Sequence, residues 1–77
     1  PQFLWRDSMV YERIKQARLA CHMTQTIAAK RLGCSSAVLS RMEKGFIYIK
    51  ADTLKQMCLL YHVSSDWVLG LKESDRL

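Results

Sequence analysis

Seventy-seven residues with 49% hydrophobic content, one Pro and three Gly are enough for one small packed domain without long loops, which argues against all-β and disordered organisations. Twelve Lys and Arg against seven Asp and Glu leave a formal charge of +5, which in so small a domain points to a polyanion, either nucleic acid or an acidic membrane surface. Cys21, Cys34 and Cys58 form no C-x-x-C pair and sit among apolar neighbours, so they read as small buried thiols of a reducing compartment. With no membrane-length apolar run and no signal-peptide pattern, the expected location is cytoplasmic.

Residues 1–7, PQFLWRD, lack periodicity and read as an N-terminal arm. Its Phe3, Leu4 and Trp5 are expected to fold back on the domain or to meet a second chain. The domain itself is expected over 8–71. Ser8 is placed as N-cap of a first helix in which Val10, Ile14, Ala17 and Cys21 share one face. His22 takes the helix-stopping place, where a left-handed residue is usual. Thr24 caps a second helix, Gln25 to Leu32, with Ala28, Ala29 and Leu32 inward and Gly33 closing it. Ser35 caps a third helix over about 36–44, with Val38, Leu39 and Met42 inward, and Gly45 ends it. The loop FIYIK, 46–50, is unusually apolar. A fourth helix follows from Ala51 to Tyr61, with Leu54, Met57, Cys58 and Tyr61 inward and Asp52 in its first turn. His62 stops it. Ser64 caps a short fifth helix carrying Asp66 to Leu69. The polar tail 72–77, KESDRL, is expected to be mobile.

The third helix carries the informative face. Ser36, Ala37, Ser40, Arg41 and Lys44 lie at offsets 0, 1, 4, 5 and 8, on one side of the cylinder. That side is narrow, short-chained and basic towards one end. A DNA major groove admits one α-helix, and short side chains permit close approach. Arg41 suits a guanine edge, Ser36 and Ser40 a base or phosphate, and Ala37 a thymine methyl. A solvated amphipathic helix would show a polar outer face as well. The turn before the helix decides between them. Ala29, Gly33, Leu39 and Met42 stand at offsets 0, 4, 10 and 13, the small, Gly, apolar, apolar spacing of a helix-turn-helix. A larger side chain at 29 would separate the helices, and a Cβ at 33 would strain the turn.

At these positions the chain resembles the lambda-repressor and Cro-like helix-turn-helix proteins, the XRE family. The matching segments are RIKQAR (13–18), MTQ (23–25), AAKRLG (28–33), CSSAVLSRMEKG (34–45), DTL (52–54) and VSSDWVLGL (63–71). The register holds without gaps from about Val10 to Leu71. The resemblance implies an all-α, compact five-helix domain with the helix-turn-helix in its second and third helices. It implies a transcriptional regulator that binds double-stranded DNA, usually as a homodimer on a palindrome. Carried over by position, Ser36, Ala37, Ser40 and Arg41 match base-reading residues. Gln25 matches a phosphate-gripping residue, and Lys44 lies near the DNA backbone. Arg18 and Glu43 match an ion pair that ties the first helix to the third.

The chain also departs from the family. Ile27 stands where Glu or Gln is usual and Ala28 where Leu is usual, so the capping box is lost and core volume at 28 is missing. Ile27 would fill that volume or stand exposed at a contact. The loop 46–49 replaces a basic, Pro-containing stretch and leaves only Tyr48 and Lys50 to grip phosphate. Ser36 and Ala37 are weak hydrogen-bonding readers, which shifts base readout towards Arg41 and DNA shape.

Other chemistries find little support. His22, Cys21 and Cys34 have no fourth ligand at sensible spacing, so no metal or cofactor is expected. No nucleophile-elbow pattern is present, so no enzyme is expected, and no small-molecule ligand is evident. Positive charge interleaved with a core pattern argues against a membrane surface. The rival from another class is a protein-interaction module that keeps the fold without binding DNA, motivated by FIYIK, Leu4, Trp5 and Ile27. Contacts with a second copy are expected at the fifth helix through Val68 and Leu71, at the FIYIK loop, or at the N-terminal arm.

Overall fold

Short polar residues start three of these helices, and left-handed residues stop four of them. Thr24 Oγ1 accepts from the Ile27 N–H at 3.2 Å, Ser35 Oγ from the Val38 N–H at 3.2 Å, and Ser64 Oγ from the Asp66 N–H at 3.1 Å. Each satisfies an amide that the helix leaves unpaired. At the other ends His22 (φ 57°), Gly33 (φ 78°), Gly45 (φ 77°) and His62 (φ 59°) all enter the left-handed region.

In this computed structural model the backbone is described for residues 2–77 and the side chains for residues 9–77. The elements are α1 (Gln2–Ala20), α2 (Gln25–Leu32), α3 (Ser36–Glu43), α4 (Ala51–Tyr61) and α5 (Ser65–Val68), with no strand among the described residues. The chain has the five-helix, lambda-repressor-like fold that the sequence implies. Its radius of gyration, 11.5 Å, is that of a close-packed chain of this length.

One expectation needs correction. α1 runs through Ser8 and begins at Gln2, so Ser8 is an interior helical residue rather than an N-cap. No Gly or Pro interrupts residues 2–20, and a capping residue favours a helix start without enforcing one. The contacts expected of Phe3, Leu4 and Trp5 lie outside the described residues. The tail 72–77 folds back onto the domain. The Ser64 N–H donates to Asp75 O at 3.0 Å, and Lys72 Nζ donates to Arg76 O at 2.7 Å.

The core is Ile14, Ala17, Ala28, Ala29, Leu39, Met57, Cys58, Tyr61, Val63 and Val68. α1 packs against α3, α4 and α5, and α2 against α3 and α4. Ala28 is fully enclosed, whereas Ile27 is about half exposed at 47%. Ile27 therefore does not fill the missing volume, and the neighbours close over Ala28 instead. Burial pushes the Cys34 and Cys58 thiols up from their ordinary pKa, which leaves them poor nucleophiles at neutral pH.

Candidate nucleic-acid interface

α2 and α3 meet at a crossing that only small groups allow. Ala29 is buried at the crossing, and Gly33 turns the chain between the helices. The Cys34 N–H donates to Ala29 O at 3.0 Å, which closes α2 tightly before Ser35 restarts the helix. Leu39, wholly buried, and Met42, partly buried, fasten the inner side of α3 to the core.

The outer side of α3 is what this anchoring leaves. Ser36, Ala37, Arg41 and Lys44 are exposed, and Ser40 is half-buried. Among the described residues, no ion pair holds Arg41 or Lys44. Tyr48 and Lys50 are exposed on the following loop. Between Met23 and Ala51 the cations are Lys30, Arg31, Arg41, Lys44 and Lys50, and the single acid is Glu43. Glu43 is buried and paired, so the surface of the helix-turn-helix unit carries positive charge alone.

Glu43 is where three elements meet. Arg18 of α1 bonds it in bidentate fashion, Nε to Oε2 at 2.7 Å and Nη2 to Oε1 at 3.0 Å. Arg18 Nη1 also donates to Met23 O at 2.8 Å, holding the α1–α2 connection. Gln25, the first residue of α2, donates Nε2 to Glu43 Oε1 at 3.0 Å. Arg18 and Glu43 thus form an ion pair, and the structure adds Gln25 to it. The Glu43 hydrogen bonds push the Arg18 pKa up against the opposing effect of burial, so the guanidinium stays charged. The network sets the start of α2 against the end of α3. Those are the positions where phosphate and base contacts are expected.

Two contacts and one unpartnered hydroxyl were not legible in the sequence. Arg13 Nη1 donates to Trp67 O and, at 3.5 Å, to Lys72 O, while its guanidinium lies 5.0 Å over the Trp67 ring. It clamps α5 and the tail to α1. Tyr11 lies under Gly45, where an added Cβ would come within 2.8 Å of the ring. Tyr61 turns its hydroxyl into the core, where it finds no protein hydrogen-bond partner. Burial, then the Glu43 charge, pushes its pKa up to about 12. The first two join residues distant in sequence, and no local pattern marks them. Among the described residues, no cluster of three His, Cys, Asp or Glu could hold a metal ion, and no helix is long and apolar enough to cross a membrane.

A capped helix, a glycine turn and a second helix with its inner side pinned to the core define a helix-turn-helix domain. A family model described as Helix-turn-helix matches residues 14–68, and the chain belongs to the XRE, lambda-repressor and Cro-like, helix-turn-helix family. It is similar to the HTH-type transcriptional regulator ImmR of Bacillus subtilis (strain 168), 37% identical over 62 residues. That match covers 80% of this chain and 49% of the relative, so the chain spans about half the relative's length. No solved structure matches the chain at a comparable level.

Proposed function

We propose that this chain is the DNA-reading domain of a transcriptional regulator, binding double-stranded DNA with α3 in the major groove. The observation that carries this reading is the exposed Ser36, Ala37, Arg41, Lys44 side of α3, on a unit whose one acid is buried. Phosphate contacts from Lys44, Lys50 and the start of α2 supply affinity, and α3 supplies selection. Gln25 holds Glu43 with one amide hydrogen and keeps a second, with its backbone N–H, for a phosphate. The similarity to ImmR, an HTH-type transcriptional regulator, supports this reading.

A homodimer on a palindromic operator follows from the economy of contacts, since one short helix reads few bases. Val68, expected to meet a second copy, is wholly buried and is unavailable. Leu59, Leu69 and Leu71 are exposed and take its place as the favoured contact. The test is selection of duplexes from a random pool, followed by sedimentation with and without the enriched site. A palindromic motif and a two-to-one complex are expected. A pool with no enriched motif refutes the proposal. Binding to neither heparin nor duplex DNA, with a stable hetero-complex instead, would favour an interaction module, the reading that the exposed Ile27, Phe46 and Tyr48 suggest.

A further inference from the structure

The loop after α3 places two aromatic rings in water. Phe46 is 73% exposed and Tyr48 is 87% exposed, while Ile47 is 36% exposed and Ile49 packs on the core. The two aromatics are thus the most exposed side chains of the loop, Ile47 is less so, and Ile49 alone is turned onto the core. The loop is not a loose excursion. Its start is tied to the last turn of α3, with the Gly45 N–H donating to Met42 O at 3.1 Å and the Phe46 N–H to Arg41 O at 2.9 Å. Gly45 seats on the Tyr11 ring with no space for a Cβ. At its other end, Ile49 and the start of α4 hold it, with the Leu54 N–H donating to Lys50 O at 2.8 Å.

Two large apolar rings held out by a fixed loop need an occupant. The charge around them selects it. Lys44 and Lys50 bracket the pair, both exposed, and no acid occurs from 44 to 51. Of the carboxylates that flank this stretch, Glu43 is buried in its pair with Arg18, and Asp52 accepts from the Thr53 N–H at 2.9 Å. An apolar pair between two cations fits a polyanion that offers flat apolar surface between its charges, which is duplex DNA approached beside its phosphates. Phe46 lies five residues beyond Arg41 and is hydrogen-bonded to it, so with Arg41 in the major groove the loop falls at the flanking phosphate strand. The minor groove lies on that strand's other side.

Resting on the DNA-binding reading above, we infer that Phe46 and Tyr48 form an apolar minor-groove wedge that partly unstacks a base step outside the α3 footprint. The wedge would select flexible pyrimidine–purine steps at positions that no side chain of α3 touches. It would act as a second specificity element, reading deformability where Arg41 reads base edges.

The test uses the full chain and the duplex enriched by selection. In a series of that duplex, the step flanking the α3 contacts is changed among TA, CA, AA and GC, with 2-aminopurine replacing the adenine of the TA, CA and AA steps. Wild type should bind the TA or CA duplex roughly tenfold more tightly than the AA duplex, with a rise in 2-aminopurine fluorescence on binding. Phe46→Ala/Tyr48→Ala should bring all four duplexes to within roughly twofold of one another and remove the fluorescence rise. The salt dependence should keep its slope, because no charge is lost. Both residues are exposed, so circular dichroism should show an unchanged fold. A double variant that keeps wild-type step preference and fluorescence overturns the inference. So does one that turns a dimer into a monomer while leaving step preference intact, since the rings would then meet protein. If selection enriches no duplex for wild type, the DNA-binding reading itself fails. An enriched motif without step preference fails the wedge alone.

Discussion

Replacing Glu43 by Ala should be among the most destabilising single changes outside the apolar core. Arg18 is 5% exposed, and two of its three donor contacts end on Glu43. Without the carboxylate, a buried guanidinium keeps only Met23 O, and Gln25 loses its acceptor. Breaking a buried pair from one side costs about 3–5 kcal/mol. A 77-residue domain at the usual stability per residue has about 4–12 kcal/mol in all. Urea unfolding followed by far-UV circular dichroism should therefore show the midpoint of Glu43→Ala falling by about a quarter or more at unchanged m. Arg18→Met/Glu43→Met removes both charges and restores volume, so it should lose less than Glu43→Ala alone, within about 1–2 kcal/mol of wild type. Its DNA affinity should still fall, because nothing then fixes the start of α2 against α3. A Glu43→Ala loss below about 1 kcal/mol, or a double variant as unstable as the two single losses combined, would refute the reasoning.

Arg41→Ala should relax base preference by about 1–3 kcal/mol per half-site, whereas Lys44→Ala should weaken all sequences alike and reduce the salt slope by about one; binding to selected and scrambled duplexes across salt concentrations separates the two. Gly33→Ala and Gly45→Ala should differ, although both glycines have positive φ. Nothing lies within 4 Å of a Cβ at 33, so only the left-handed strain of about 1–2 kcal/mol is lost there, whereas at 45 the Tyr11 ring at 2.8 Å adds a clash. Tyr11→Ala should lessen the harm of Gly45→Ala and leave that of Gly33→Ala unchanged, as thermal unfolding would read. Tyr61, raised from 10.0 to about 12, binds its proton more tightly folded than unfolded, so stability is intact below pH 10 and falls by about 2–3 kcal/mol as pH rises towards 12. Tyr61→Phe should cost less than about 1 kcal/mol at pH 7, as its hydroxyl has no protein partner, and should remove part of the alkaline loss measured by urea titration.

What the sequence made legible was local. Thr24, Ser35 and Ser64 announce helix starts because a short polar side chain reaches an amide two or three residues on. His22 and His62 mark stops because each ends a run of apolar helical spacing. The start of α1 was misplaced because Ser8 offers a cap in a stretch that stays helical without one. The clamp of Arg13 on Trp67 and the seat of Gly45 on Tyr11 join residues 54 and 34 positions apart, and only packing brings them together. The site divides the same way. The outward α3 positions followed from 3.6-residue periodicity. Gln25 as a third member of the Arg18–Glu43 network required the crossing of α2 on α3.

The content of the reading helix sets a limit that bears on how the protein can discriminate. On the proposed reading, Ser36 and Ala37 would offer short or apolar contacts and Ser40 is half-buried, so one guanidinium per protomer of a dimer would carry most direct readout. A bidentate arginine–guanine contact discriminates by about 1–3 kcal/mol, and two protomers would supply about 2–6. Specific and non-specific binding by such regulators differ by about 4–10 kcal/mol. At its upper end Arg41 in two copies enters that range, and at its lower end it falls well short. The remainder must come from groups that do not read base edges. α2 carries Lys30 and Arg31, which suit phosphate, while the most exposed large uncharged side chains beside α3 are Phe46 and Tyr48. A readout of DNA deformability from the loop thus stands in the part of the surface where the deficit of α3 would be met.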